Sequence, residues 1–141
     1  GYLIVPPSLR ERVAGLCLPV SGVVQDAMAH YMEAGGLRRH TARMRKEYRA
    51  RRAAFIDLFP EGVPMEGGLH AVVPLRADAD EDRVVARCRA RGLGVTGMAD
   101  YWSARRPRTP GIVLGLGTGS LDRLRERLAV LRRTIEEGQG L

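Results

Sequence analysis

Between Gly36 and Pro60 the sequence reads LRRHTARMRKEYRARRAAFIDLF, without one glycine or proline to interrupt it. Leu37, Met44, Tyr48, Phe55 and Phe59 recur at spacings of four and seven and their sums, which draws one apolar stripe along an α-helix of about six turns. Arg38, Arg39, Arg43, Arg45, Lys46, Arg49, Arg51 and Arg52 oppose only Glu47 and Asp57, so eight cations against two carboxylates give this helix +6 of the chain's formal +7. Any fold that accepts it must bury the stripe and leave the cations in water or against anions.

The chain before this helix reads differently from the chain after it. Gly1 to Val5 is a β-rich run stopped by Pro6 and Pro7, with no polar leader, and we expect a chain opening this way to be cut from a longer protein. Ser8, with Glu11 three residues on, predicts a capped short helix over Leu9 to Leu16, ended by Pro19. Ser21 is the expected cap of a second helix, whose Val24, Ala27, Met28, Tyr31 and Met32 fall on one broad apolar face, and Gly35 and Gly36 turn the chain into the long helix.

After Pro60 strands enter. Gly62, Pro64, Gly67 and Gly68 predict a loop; Leu69 to Leu75 reads as a strand, with Pro74 favouring an edge or a bulge. Asp78 or Asp80 caps a helix to about Arg91 with Val84, Val85 and Cys88 facing one way, and Gly92 closes it. Leu93 to Met98 is a short strand, Ala99 to Pro110 a polar loop, and Gly111 to Leu116 the most hydrophobic strand. Ser120 caps a last helix, with Leu121, Leu124, Leu128, Leu131 and Ile135 on one stripe, ending before Gly138. From residue 37 the order is helix, strand, helix, strand, strand, helix: a two-layer α/β arrangement, a small sheet with helices packed on it. The expected divisions are 1–36, the bridging helix 37–59, and a small α/β domain over 60–141.

With 141 residues, 45% of them hydrophobic and 28% charged, the chain is long enough to bury one core and reads as soluble. No apolar run approaches the ~20 residues of a membrane span, and no signal-peptide pattern opens it. Two cysteines, Cys17 and Cys88, are too few for a disulfide scaffold and point to free thiols and a cytoplasmic home. Lys46 is the only lysine; so arginine-heavy a basic total is weak evidence of a polyanionic partner.

Candidate chemistry is sparse. GLGTGS at 115–120 could cradle a phosphate at a helix N-terminus, yet it lacks a P-loop lysine and the full GxGxxG spacing, so a strand-to-helix turn is the favoured reading. His30, His40 and His70 lie on three different elements and form no ligand set; no metal site is expected. The arginine helix could track phosphates, with a solvated face, or one packed on acidic groups of a neighbour, favoured. The loop at 101–108 joins Tyr101 and Trp102 to Arg105, Arg106 and Arg108, forked donors suited to an effector carboxylate, against the alternative of a solvated connection.

Taken together, GYLIVPP at 1–7, GGLRRHTARMRKEYRARRAAF at 35–55, GGLHAVVPL at 67–75, RGLGVTGMADYW at 91–102 and GIVLGLG with its closing helix resemble, in order and spacing, the C-terminal part of the aminotransferase-like domain of MocR-type regulators. These are GntR-family transcription regulators whose domain is similar to fold-type I aminotransferases. His40, Met44, Arg45, Tyr48, Arg51 and Arg52 are the most specific part of the match.

The resemblance implies that residues 1–36 finish a large domain, that the long helix bridges, and that 60–141 is the small domain closing over a pyridoxal phosphate site. It places the Schiff-base lysine and a phosphate-gripping arginine before Gly1; Lys46 does not match that position, so neither a covalent cofactor nor catalysis is expected of this chain. Many aminotransferases hold the substrate carboxylate with an arginine in the strand where this chain has Ile112, Val113 and Leu114; Arg105, Arg106 or Arg108 would have to substitute. The implied partners are the large domain of the same protein, a second subunit in a homodimer, a small amine or amino-acid effector, and DNA through an N-terminal domain. Two other readings remain open: part of a genuine pyridoxal phosphate aminotransferase, or a basic module binding nucleic acid through the arginines at 38–52.

Overall fold

The computed structural model describes residues 4–16, 21–66, 68–102 and 109–139. The chain falls into two compact units, Gly1–Ala42 and Arg43–Leu141. The long helix, α3 (Gly36–Leu58), runs through the division.

In the first unit, Pro7–Leu9 forms a single 3-10 turn and α1 spans Arg10–Ala14. Ser8 therefore sits inside the turn, and no side-chain hydrogen bond caps either element. Pro7 takes the first position of the turn, where its fixed φ and missing N–H are tolerated, so the turn begins one residue before Ser8 and leaves it no cap position. Helix α2 covers Gly22–Glu33 with Ser21 at its N-cap position but without a bond from the Ser21 side chain. Gly35 (φ +73°) makes the left-handed turn into α3, which an L side chain would resist. Arg39 Nη1 donates to Ala34 O (2.8 Å), occupying a carbonyl at the end of α2. Val24, Met28, Tyr31 and Met32, the expected apolar face, stay 44–53% exposed.

In the second unit four strands form one antiparallel sheet, β1 (Val63–Pro64), β2 (His70–Pro74), β3 (Val95–Gly97) and β4 (Gly111–Gly115), in the order β1-β2-β4-β3. The β1 strand corrects the loop expected there. Val63 pairs with Val72 and Pro64 with Ala71, so Pro64 stands on an outer strand where its missing N–H is tolerated. Pro74 is tolerated for a related reason: β2 is flanked by β1 only at Ala71 and Val72 and is an edge at Pro74.

Helices α4 (Glu81–Ala90) and α5 (Leu121–Gln139) complete the unit, capped by Asp80 (from Arg83 N, 3.0 Å) and Ser120 (from Arg123 N, 3.3 Å). Contrary to expectation, α5 continues through Gly138, because one internal glycine costs a helix only about 1 kcal/mol. Ala71 and Val73 of β2, Val95 of β3 and Ile112 and Leu114 of β4 alternate onto one face, where they meet Val84, Val85 and Cys88 of α4, Leu124, Leu128, Leu131 and Ile135 of α5, and Phe55 and Phe59. The two phenyl rings stack at 5.4 Å and are fully buried, worth about 1.5–3 kcal/mol each in transfer terms. The stripe of α3 is thus buried at its C-terminal end, half-buried at Met44 and Tyr48, and exposed at Leu37.

Candidate functional site

The base of the predicted arginine loop is built from both of its flanks. Ahead of it, Met98–Tyr101 winds into a 3-10 turn; behind it, Thr109 and Pro110 lead into β4. Glu81, in the first turn of α4, holds both flanks at once: Oε1 accepts from Ala99 N (2.9 Å) and Oε2 from Gly111 N (2.8 Å). Trp102 Nε1 donates to Thr109 O (3.3 Å), closing the base. Gly97 lies beneath this carboxylate, and a Cβ there would collide with Glu81 Oε1, so a side chain at 97 would displace the carboxylate from its two amides.

A cleft of about 260 Å³ lies against this base, lined by Ala79, Asp80, Glu81, Asp82, Trp102 and Pro110 among others. Its lining carries three carboxylates, so it does not by itself suit a carboxylate ligand. Arg105, Arg106 and Arg108, the residues expected to grip one, lie outside the described residues, as does Cys17. Tyr101 is exposed and Trp102 half-buried. Sequence reasoning missed Glu81, because an acidic residue at the start of a helix already has a sufficient explanation in the helix dipole.

The glycine turn at 115–119 is organised around a cation. Arg51, one of the eight cations of the long helix, is only 3% exposed. Its Nη1 donates to Leu116 O (2.9 Å) and Thr118 O (3.4 Å), its Nη2 to Gly119 O, and both Nε and Nη2 reach Glu47 Oε1 (3.1 and 2.7 Å). A turn that aims three carbonyls at a buried guanidinium presents the wrong polarity for a phosphate, and the strand-to-helix reading stands. Beside it, a largely apolar cleft of about 290 Å³ is lined by Leu93, Val95, Leu114, Thr118, Arg127 and Leu128 among others, and Arg127 Nη2 donates to Gly92 O (2.6 Å).

The remaining candidates are dispersed. His30 stands on α2, His40 on α3 and His70 on β2, all exposed, and among the described residues no group of three His, Cys, Asp or Glu could hold a metal ion. Cys88 is fully buried; burial pushes its thiol pKa up, with Arg91 opposing weakly, which makes it a small core hydrophobe rather than a nucleophile. Lys46 is exposed on α3 and lines neither cleft. The described residues therefore do not fit a covalent pyridoxal phosphate site, which needs an amine at the floor of a pocket. Among the described residues no helix is long and apolar enough to cross a membrane.

No family model matches the chain. It is 37% identical, over 98% of its length, to the HTH-type pyridoxine biosynthesis transcriptional regulator PdxR of Corynebacterium glutamicum, of which it spans 32%. That regulator is of the MocR type, so the resemblance drawn from the sequence is borne out over essentially the whole chain.

Proposed function

We propose that the chain is the C-terminal, effector-sensing portion of a PdxR-like regulator, closing over a pyridoxal phosphate and amine or amino-acid site built mostly by other parts of the same protein. The carrying observation is the 37% identity to a transcription regulator along 98% of the chain. In this reading residues 1–36 complete the large domain, 37–59 bridge, and 60–141 form the closing small domain similar to that of fold-type I aminotransferases. Arg105, Arg106 and Arg108 supply the effector carboxylate's donors on a loop whose base is held by Glu81. The protein works as a homodimer and binds DNA through an N-terminal domain.

Coupling requires the effector to prefer the closed state, since a ligand indifferent to the two states shifts neither. The long helix is the lever, because α3 is continuous from Gly36 to Leu58. The test uses the full-length protein and its promoter DNA, titrated with pyridoxal phosphate and candidate amines. Lys46→Gly with Ala50→Gly, each costing a helix about 1 kcal/mol, is expected to preserve effector binding and abolish its effect on DNA affinity. Alanine at Arg105, Arg106 and Arg108 is expected to weaken effector binding while sparing DNA binding. Unchanged coupling in the first variant removes the lever; unchanged effector affinity in the second removes the arginine loop.

A further inference from the structure

In the second unit some arginines are paired while others, among them Arg83 of α4 and Arg123 and Arg133 of α5, form no ion pair among the described residues. On α4, α5 and the connections, Arg76 pairs with Asp78, Arg91 with Glu137, Arg125 with Asp122, and Arg132 with both Glu61 and Glu136. On α3 the two carboxylates do not serve the exposed cations: Glu47 is bound to the buried Arg51, and Asp57 forms no ion pair among the described residues. Arg45, Arg49 and Arg52 follow at i, i+4 and i+7, within a sector of about 60° on the helix surface and a rise of about 10 Å, with Lys46 beside them. Arg45, Lys46 and Arg49 are exposed and Arg52 is half-buried. Among the described residues none of the four forms an ion pair.

This spacing works against the helix that displays it. Like charges at i,i+3 and i,i+4 are destabilising, and no carboxylate occupies the position three or four residues before or after any of the three arginines. The cations stand too far from the helix C-terminus for its dipole to explain them. A clustered, unneutralised line of forked donors is complementary in charge and reach to a row of phosphates.

We infer that Arg45, Arg49 and Arg52, flanked by Lys46, form a phosphate-docking face for duplex DNA, adding a sequence-independent increment to the affinity of the protein that carries this chain. The inference builds on the reading of that protein as a DNA-binding regulator, and the two fail separately. The stripe touches phosphates and reads no bases, so its contribution is the same on promoter and random duplex.

The experiment compares the full-length wild type with Arg45→Gln/Arg49→Gln/Arg52→Gln and the charge-keeping Arg45→Lys/Arg49→Lys/Arg52→Lys. Binding to promoter DNA and to a short random-sequence duplex is measured by fluorescence anisotropy across a salt series. Each phosphate contact contributes about 0.9 to the slope of log affinity against log salt, so the glutamine variant should lose about 2.7 from the slope on both duplexes. The lysine variant should retain it. An unchanged slope in the glutamine variant on either duplex overturns the inference, as does failure of the wild type to bind random duplex at low salt. Loss of self-association or effector binding with an intact slope also overturns it, and assigns the stripe to a protein contact. If the wild type ignores its promoter but binds random duplex with the expected slope change, the stripe stands and the regulator reading falls.

Discussion

Replacing Arg51 tests whether the second unit depends on a buried cation. In Arg51→Ala, Leu116 O loses a donor inside the protein, at about 1–3 kcal/mol for an unsatisfied buried group, while the carbonyls of Thr118 and Gly119, nearer water, lose less. Glu47 is 44% exposed, so water replaces the lost partner and the ion pair itself contributes little. The total is about 3 kcal/mol, dominated by the stranded carbonyls. Arg51→Lys keeps the charge but offers one ammonium in place of a fork and should lose about half as much. Glu47→Gln should lose no more than about 0.5 kcal/mol. Urea unfolding followed by the fluorescence of Trp102, the single tryptophan, reports on this unit; with a slope of about 1.5 kcal/mol per molar, Arg51→Ala should move the midpoint down by about 2 M. A Glu47→Gln loss as large as that of Arg51→Ala would refute the argument, because the stability would then reside in the ion pair. So would an Arg51→Ala loss below about 1 kcal/mol.

Glu81→Gln, which leaves one acceptor oxygen for two donors, is expected to cost about 1–2 kcal/mol, with hydrogen-exchange protection lost first at Ala99 and Gly111; even protection loss across the sheet would contradict the clamp. Gly62→Ala should destabilise by about 1–3 kcal/mol, since the new Cβ would stand 2.5 Å from Phe55 Cζ, and the companion Phe55→Leu should recover part of the loss in a double-mutant cycle. The Glu137 carboxyl is held below the ordinary glutamate value, chiefly by its hydrogen bond from Arg91 (2.5 Å). Its stabilising contribution is therefore full above about pH 4.3, the unfolded value, and lost as pH falls through the lowered one. Arg91→Gln should return the Glu137 titration, followed by NMR, toward that ordinary value.

The strand and helix pattern of residues 69–135 was legible because periodicity, caps and glycine punctuation agree there: Asp80 and Ser120 cap as expected, and Ile112 and Leu114 fill the core. Ser8 and Glu11 matched a capping box on paper, but the pattern carries no knowledge of the proline turn that occupies its place. The short β1 escaped because two residues, one a proline, give no period to detect; its pairing is dictated by β2. Arg51 was one of eight cations in a helix, and burial of one among them depends on where the glycine turn arrives from far along the chain, which spacing within the helix does not encode. Of the candidate site, the tryptophan and the start of β4 at Gly111 were visible in the sequence, whereas a 3-10 turn at Met98–Tyr101 stands where the loop was expected to begin. Glu81 was not visible, because its partners are backbone amides and leave no side-chain signature.

The strand order has a consequence for how quickly the second unit can form. Its central pairing sets Ala71 across from Leu114, with α4 and β3 lying between them in the chain. Closing so long a segment demands entropy before the reward of pairing arrives, and domains dominated by non-local pairings fold more slowly than those built from local hairpins. Since β4 alone bonds to both β2 and β3, substitutions at Ile112 or Leu114 should slow folding, whereas changes in the outlying β1 should chiefly accelerate unfolding.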